Sequence, residues 1–228
     1  MSFYWIILGF FTLIGWLVSS RLKSKFSKYA KIPNSSGMTG YEVGMAMMEH
    51  YDISGVKIVQ GKGSLTDHYN PRTKTVALSP EVYQGRSIAS AAVAAHEVGH
   101  VVQHATAYKF LQMRSNLVPV VQFSSKVQQF LFMGVMFGIG SGIGGGFMMT
   151  VLAATFGATA LFSMITLPVE FDASKRALVW LDETGVTRGA EYDGAKDALW
   201  WAAMTYVAQA LSALVMFLYF LMMASNRD

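Results

Sequence analysis

The chain has 228 residues, of which 53% are hydrophobic and 14% are charged, with a net charge of +4. Its mean hydropathy is +0.35, a balance that is typical of a multi-span membrane protein and argues against an ordinary soluble enzyme. Because the chain contains no cysteine, disulfides and cysteine-based zinc sites are excluded. Any metal must therefore be held by histidine and carboxylate side chains.

The first predicted element is a transmembrane anchor in residues 1–20. Ser2 to Ser19 is uncharged and rich in aromatic residues, and as a helix it is long enough to cross a hydrocarbon core of ~30 Å. A cleaved signal peptide would need a charged start, whereas the basic residues here follow the apolar run. We therefore expect an anchor that is not removed.

Residues 21–126 are predicted to form a small α+β region outside the membrane. Thr39-Gly40-Tyr41-Glu42 is a capping-box pattern and predicts a short helix. Val56 to Val59 and Lys74 to Ser79 are predicted strands, separated by glycines and an Asn-Pro turn signal. A further helical stretch is expected to open at Pro80.

An alanine-rich helix is predicted from Ser87 to about His104, with helical character continuing toward Lys126. It carries His96-Glu97-Val98-Gly99-His100. Two histidines four residues apart lie on one helix face, so both can reach a single metal ion. The glutamate between them points to the neighbouring side, where it can act as a general base toward a metal-bound water. This pattern is typical of zinc proteases.

The stretch from Val127 to Pro168 contains no ionisable side chain and is interrupted by the glycine-rich run 141–146. We expect residues 127–168 to form a hairpin of two transmembrane spans, since one span needs only about 20 residues. Residues 169–199 are then predicted to lie outside the membrane, and residues 200–224 to form the last span.

Residues 225–228 would be a C-terminal tail. Taken together, these elements predict the fold class of a mainly α integral membrane protein. It has about four transmembrane helices and a small α+β region.

The positions of the basic residues predict the orientation in the membrane. Every Lys and Arg except Arg227 lies in residues 20–126 or 169–199. With four spans, those two regions share one side, and the positive-inside rule assigns that side to the cytoplasm. We therefore expect a multi-pass protein of the cell (inner) membrane whose active site faces the cytoplasm.

A zinc hydrolase needs three protein ligands and one open position for water, so His96 and His100 require a partner. His104 lies about 12 Å along the helix from His96, too far for both to converge on one ion. Glu170 directly follows the third predicted span, which returns it to the side of His96. It is the favoured oxygen ligand, and Asp172 is the alternative.

Several motifs together carry a family resemblance. They are Leu65 to Tyr69, Ser87-Ile88-Ala89, Ala94 to His100 and Pro168 to Phe171. The combination closely resembles the YugP-like membrane neutral zinc metallopeptidases. It is more distantly similar to the HtpX-like membrane proteases, gluzincins in which a glutamate in an E-[FY]-x-A-D pattern completes the metal site.

The resemblance implies a zinc-dependent metallopeptidase with a zincin-like region. One Zn²⁺ would be held by His96, His100 and Glu170, the last on a cytoplasmic helix within residues 169–199, and Glu97 would be the general base. Ser174 stands where the HtpX-like pattern has aspartate. The group that orients a ligand histidine is therefore left open among Ser174, Asp172 and a backbone carbonyl.

Other features of the reaction stay open at this point. His68 and Tyr69 are candidates for stabilising the transition state, and the strand Lys74 to Ser79 is a candidate for pairing with an extended substrate. Expected partners are membrane lipids and protein or peptide substrates, membrane proteins among them, but not nucleic acid. A homo-oligomer or an accessory membrane protein is left open.

Two alternative functions accompany the peptidase. One is an inactive metal-binding membrane scaffold, which would not require Glu97. The other is an intramembrane protease of the site-2 type, which takes its third ligand from an aspartate in a downstream span. The last three predicted spans contain no aspartate, so this second alternative is disfavoured.

Overall fold

The computed structural model describes residues 2–136 and 145–225. Its elements follow in the order α1 (Ser2–Tyr29), α2 (Gly40–His50), β1 (Lys57–Gln60), β2 (His68–Asn70), β3 (Thr75–Leu78), α3 (Pro80–Gln84), α4 (Ile88–Ala105), α5 (Lys109–Met136), α6 (Gly145–Glu183) and α7 (Ala190–Ser225). The chain divides into two compact units. The first comprises Met1–Leu17, Gln112–Leu167 and Thr205–Asp228, and the second comprises Val18–Leu111 and Pro168–Met204.

Three helices in the described part of the chain are long and apolar enough to cross a membrane. They are Phe3–Tyr29, Gly146–Glu183 and Ala190–Ser225. The described part of the span predicted to begin at Val127 belongs to α5, which is not one of the three. Most of the predicted glycine turn falls in residues 137–144, outside the described residues, so the fourth span stays a prediction.

The apolar helices extend past the predicted ends of the spans. α6 is a single helix that contains Pro168, and α7 begins at Ala190 rather than at Trp200. A helix satisfies its backbone hydrogen bonds internally and can therefore continue from lipid into water without a break. As a result, Glu170 lies in the same continuous helix as the apolar segment that precedes it.

Apolar side chains from separate parts of the sequence form the core of the first unit. Ile7 of α1, Leu152 of α6, and Met216 and Phe220 of α7 are all buried together. Phe156 stacks on Phe220 with ring centroids 5.2 Å apart. These contacts explain why aromatic residues recur throughout the apolar runs, since each ring buries a large apolar area.

The second unit contains a three-stranded sheet in the order β1-β3-β2. β3 pairs parallel with β1 and antiparallel with β2, so that Ile58 and Tyr69 both lie opposite Val76. The predicted strand Lys74 to Ser79 is therefore the central strand. The expectation that it pairs with a substrate as an edge strand is wrong, because both of its sides are occupied.

The sheet packs with α2 and α4 around one core. Val43 and Met47 of α2, Val76 and Leu78 of β3, and the five alanines of α4 that precede His96 are fully buried there. The predicted capping box at the start of α2 is confirmed: Thr39 accepts from the backbone N–H of Glu42, and the Glu42 carboxylate accepts from that of Thr39. Such a cap satisfies two otherwise unpaired backbone donors.

α4 ends at Ala105, close to the predicted end at about His104. Thr106 is its C-cap, and the next residue, Ala107, has a φ of 51° in the left-handed region. A non-glycine residue with this φ cannot continue a right-handed helix. The helical character expected toward Lys126 is present, but it belongs to a second helix, α5, which begins at Lys109 after this break.

Candidate metal centre

α4 and α6 bring three potential metal donors together in the second unit. The Oε2 atom of Glu170 lies 3.4 Å from Nε2 of His96 and 3.6 Å from Nε2 of His100. One donor atom from each residue lies within 4.8 Å of the others. Donors bound tetrahedrally to zinc at ~2.1 Å are about 3.4 Å apart, so this set fits a zinc ion.

The close approach of α4 to α6 depends on small residues. Gly99 lies between the two histidines, and a Cβ added to it would sit 2.6 Å from the carbonyl oxygen of Ala173. Ala95, Ala173 and Ala177 are fully buried nearby in the same unit. Gly99 therefore allows the backbone of α6 to approach α4 at the level of the donors.

We predict that Gly99→Ala moves α6 away from α4, because the added methyl meets backbone atoms that cannot rotate aside. Overpacking of this kind costs about 1–3 kcal/mol of unfolding free energy, and zinc affinity should fall with it. Thermal unfolding and zinc titration of the purified protein measure both effects. Gly15→Ala is the matched control, since nothing lies within 4 Å of its added Cβ; equal behaviour of the two variants would contradict the prediction.

Each histidine is oriented through its other ring nitrogen. Nδ1 of His96 lies 3.1 Å from Oγ of Ser174, and Nδ1 of His100 lies 3.0 Å from Oε1 of Gln103. Of the three groups left open by the sequence, Ser174 thus contacts His96 directly. Asp172 instead bonds to Gln103 at 2.8 Å and to Nε of Arg176 at 2.6 Å.

Sequence reasoning missed Gln103. It lies three residues after His100 on the same helix, and residues with that spacing are neighbours on the helix surface. The helical period alone would therefore have placed it beside the ligand pair. A fully buried glutamine is itself uncommon, since buried polar groups need hydrogen-bond partners.

Glu97 lies in a protected environment that suits a base. Its side chain is almost completely buried, and this burial raises the pKa of its carboxyl group above the ordinary value, an effect that the neighbouring His96 and His100 only partly offset. Burial disfavours the charged form of an acid, and a general base works best with a pKa near the operating pH.

The electrostatics of His100 depend on Glu170. Burial lowers the pKa of the His100 imidazole, but the hydrogen bond and negative charge of Glu170, together with the Glu97 charge and the Gln103 hydrogen bond, outweigh it, and the net shift is upward. A metal binds only the deprotonated nitrogen. A proton and a metal ion therefore compete for the same atom, Nε2 of His100, which faces Glu170.

The two other predicted histidines, His104 and His68, bond to groups outside the donor set. His104 Nδ1 bonds to the hydroxyl of Tyr69 at 2.7 Å, and His68 Nδ1 bonds to the carbonyl of Thr66 at 2.8 Å. Neither histidine belongs to the donor set found among the described residues. Tyr69 is on the edge strand β2 and meets α4 one helical turn beyond His100.

A half-buried carboxylate, to which the sequence analysis gave no separate role, supports the start of this strand. Asp67 accepts hydrogen bonds from the backbone N–H and the hydroxyl of Ser79, the former at 2.7 Å. Burial raises the pKa of Asp67, although these two bonds oppose the shift. Asp67 thereby ties the segment before β2 to the beginning of α3.

Comparison with known proteins places this arrangement in context. The family described as "Putative neutral zinc metallopeptidase" matches residues 4–225. The chain is 41% identical over 207 residues to a protein of Bacillus subtilis (strain 168) named "Putative membrane protease YugP", covering 90% of this chain and 89% of that protein. No solved structure matches the chain. Since the family matches nearly all of the sequence, the chain belongs to these neutral zinc metallopeptidases.

Proposed function

We propose that the protein is a membrane zinc metalloendopeptidase of the gluzincin type. The observation that carries the proposal is the meeting of His96, His100 and Glu170 with their donor atoms within 4.8 Å of one another, beside the buried Glu97. Family membership and the three apolar helices support a membrane-bound zinc peptidase. A scaffold that only bound metal would have no need for Glu97.

The proposed roles follow from the chemistry of the donors. His96, His100 and Glu170 would hold one Zn²⁺, which when bound polarises a scissile carbonyl and lowers the pKa of water toward ~7. Glu97 accepts the proton of the attacking water and passes it to the leaving amine. The burial of Glu97 also raises the pKa of its carboxyl group above the ordinary value, which makes the carboxylate a stronger base.

We propose that an extended substrate aligns along β2 rather than along β3. β2 is an edge strand of the described sheet, and its residue Tyr69 reaches α4 through His104. Backbone pairing with an edge strand holds a peptide extended without selecting its side chains. Tyr69 and His68 stay candidates for stabilising the tetrahedral transition state.

The proposed topology retains four spans with the metal centre facing the cytoplasm. The basic residues support it, since all except Arg227 precede Val127 or follow Pro168 and precede Trp200. In this arrangement the substrates are proteins or peptides at the cytoplasmic face of the cell membrane, including membrane proteins. Membrane lipids surround the spans in this proposal. It is compatible both with a homo-oligomer and with an accessory membrane protein.

Metal removal tests the proposed function directly. The purified full-length protein in detergent should hydrolyse dye-labelled casein, lose that activity after zinc chelation, and recover it with about one equivalent of Zn²⁺ but not with Mg²⁺, which prefers oxygen ligands. Release of labelled peptides is the measurement. Hydrolysis that persists in protein shown by elemental analysis to be free of zinc would refute the proposal.

A further inference from the structure

We propose that Gln103 is a positioning residue that links Asp172 to His100 and fixes which ring nitrogen His100 presents to the metal. The inference rests on the proposed zinc site and concerns how that site is built. It differs from the pattern of the HtpX-like group, in which an aspartate stands at the position of Ser174. Here the nearby carboxylate, Asp172, acts through an intermediate amide.

Both polar groups of the Gln103 side chain, the amide nitrogen and the amide oxygen, have hydrogen-bond partners at the centre. Gln103 is completely buried. Its Oε1 lies 3.0 Å from Nδ1 of His100, and its Nε2 lies 2.8 Å from both the carbonyl of Val169 and Oδ2 of Asp172. A side-chain amide has two N–H donors and one carbonyl, and each of these groups has a partner here.

The partners determine the orientation of the amide. The Val169 carbonyl can only accept a hydrogen bond, and Oδ2 of Asp172 already accepts one from Arg176 at 2.6 Å. Both groups are acceptors, and the amide nitrogen of Gln103 can donate to both of them. Flipping the amide would place its oxygen against these two acceptors in a buried site, and both hydrogen bonds donated by the amide nitrogen would be lost.

This orientation selects one tautomer of His100. With the amide oxygen of Gln103 facing the ring, Nδ1 of His100 must carry the hydrogen. In the neutral ring, Nε2 then carries the lone pair, and Nε2 is the atom that lies 3.6 Å from Oε2 of Glu170. Ser174 has no such selectivity toward His96, because a hydroxyl group can either donate or accept.

Gln103 also connects the two helices at the ligands themselves. It belongs to α4, three residues beyond His100, while Val169 directly precedes Glu170 on α6. One side chain therefore orients the imidazole ligand and holds the backbone next to the carboxylate ligand. Outer partners of this kind typically contribute 10–100-fold to metal affinity.

Gln103→Met provides the test, since methionine has a similar shape but neither donates nor accepts strongly. Zinc affinity, measured by competition with a chelator, should fall about 10–100-fold, and more than in Ser174→Ala. The metal-free variants are compared by thermal unfolding to confirm that they fold. Gln84→Met is the matched control, because Gln84 is exposed and its amide nitrogen donates to Gln60; its zinc affinity should equal that of the wild type.

A second measurement needs no variant. In zinc-loaded wild-type protein with ¹⁵N-labelled histidine, the ring assigned to His100 through its contact with Gln103 should show a protonated Nδ1 and a metal-bound Nε2. Coordination through Nδ1, or undiminished zinc affinity in a folded Gln103→Met variant, overturns the proposal about Gln103. If the wild type itself binds no zinc, the proposed function fails instead, so the two failures are distinguishable.

Discussion

Glu97→Gln should abolish peptide hydrolysis while leaving zinc bound. The amide has nearly the shape of the carboxylate but cannot accept the proton of the attacking water, and general base catalysis typically contributes 10²–10⁴-fold. We therefore expect kcat to fall by about 10²–10⁴-fold with little change in zinc content. Casein hydrolysis and elemental analysis on the same preparation measure the two quantities.

Glu81→Gln is a suitable control for this experiment. Glu81 lies at the start of α3 and is exposed, where it accepts a hydrogen bond from Ser64, so the same chemical change occurs away from the donors. Its hydrolysis rate should match that of the wild type. If Glu97→Gln hydrolyses casein at the wild-type rate, the general base lies elsewhere and the scaffold alternative regains support.

Glu170→Ala should remove zinc from the protein. The carboxylate is buried and lies within 3.6 Å of both imidazole nitrogens, so its loss deprives the ion of one of three protein ligands. Affinity should fall by more than the about 10–100-fold that accompanies loss of an outer hydrogen-bond partner. Zinc titration of the metal-free variant gives the value, and hydrolysis should be lost in parallel.

His104→Ala separates this expectation from a general effect of altering the site. His104 lies on the same helix one turn after His100 and bonds to Tyr69 rather than to the donors. Zinc affinity should be retained in His104→Ala even if substrate turnover changes. Full zinc occupancy in Glu170→Ala together with loss of zinc in His104→Ala would reverse the proposed ligand set.

The features that could be predicted from sequence are those set by local geometry. The spacing of His96 and His100 places both on one helix face whatever the rest of the fold does. The capping pattern at Thr39 likewise depends on four consecutive residues. Glu170 required a longer argument, because it is far from His96 in sequence and only a third membrane span would return the chain to the same side. The structure does place Glu170 beside the two histidines of α4.

The features that escaped prediction depend on contacts between distant segments. The order of the strands is set by pairing between His68–Asn70 and Thr75–Leu78 and then with β1, and no local pattern indicates which strand is central. The three hydrogen bonds of Gln103 involve α6 as well as α4. The break between α4 and α5 coincides with the positive φ of Ala107, which a run of helix-forming residues does not show.

The donor set also has a consequence for the conditions that the protein tolerates. The three donor atoms are two nitrogens and one oxygen, so none of them is sulfur, and the whole chain lacks cysteine. Peroxide and disulfide stress destroy zinc centres chiefly by oxidising thiolate ligands. A centre built from imidazole and carboxylate offers no such target, so cellular redox state would leave its capacity for metal unchanged.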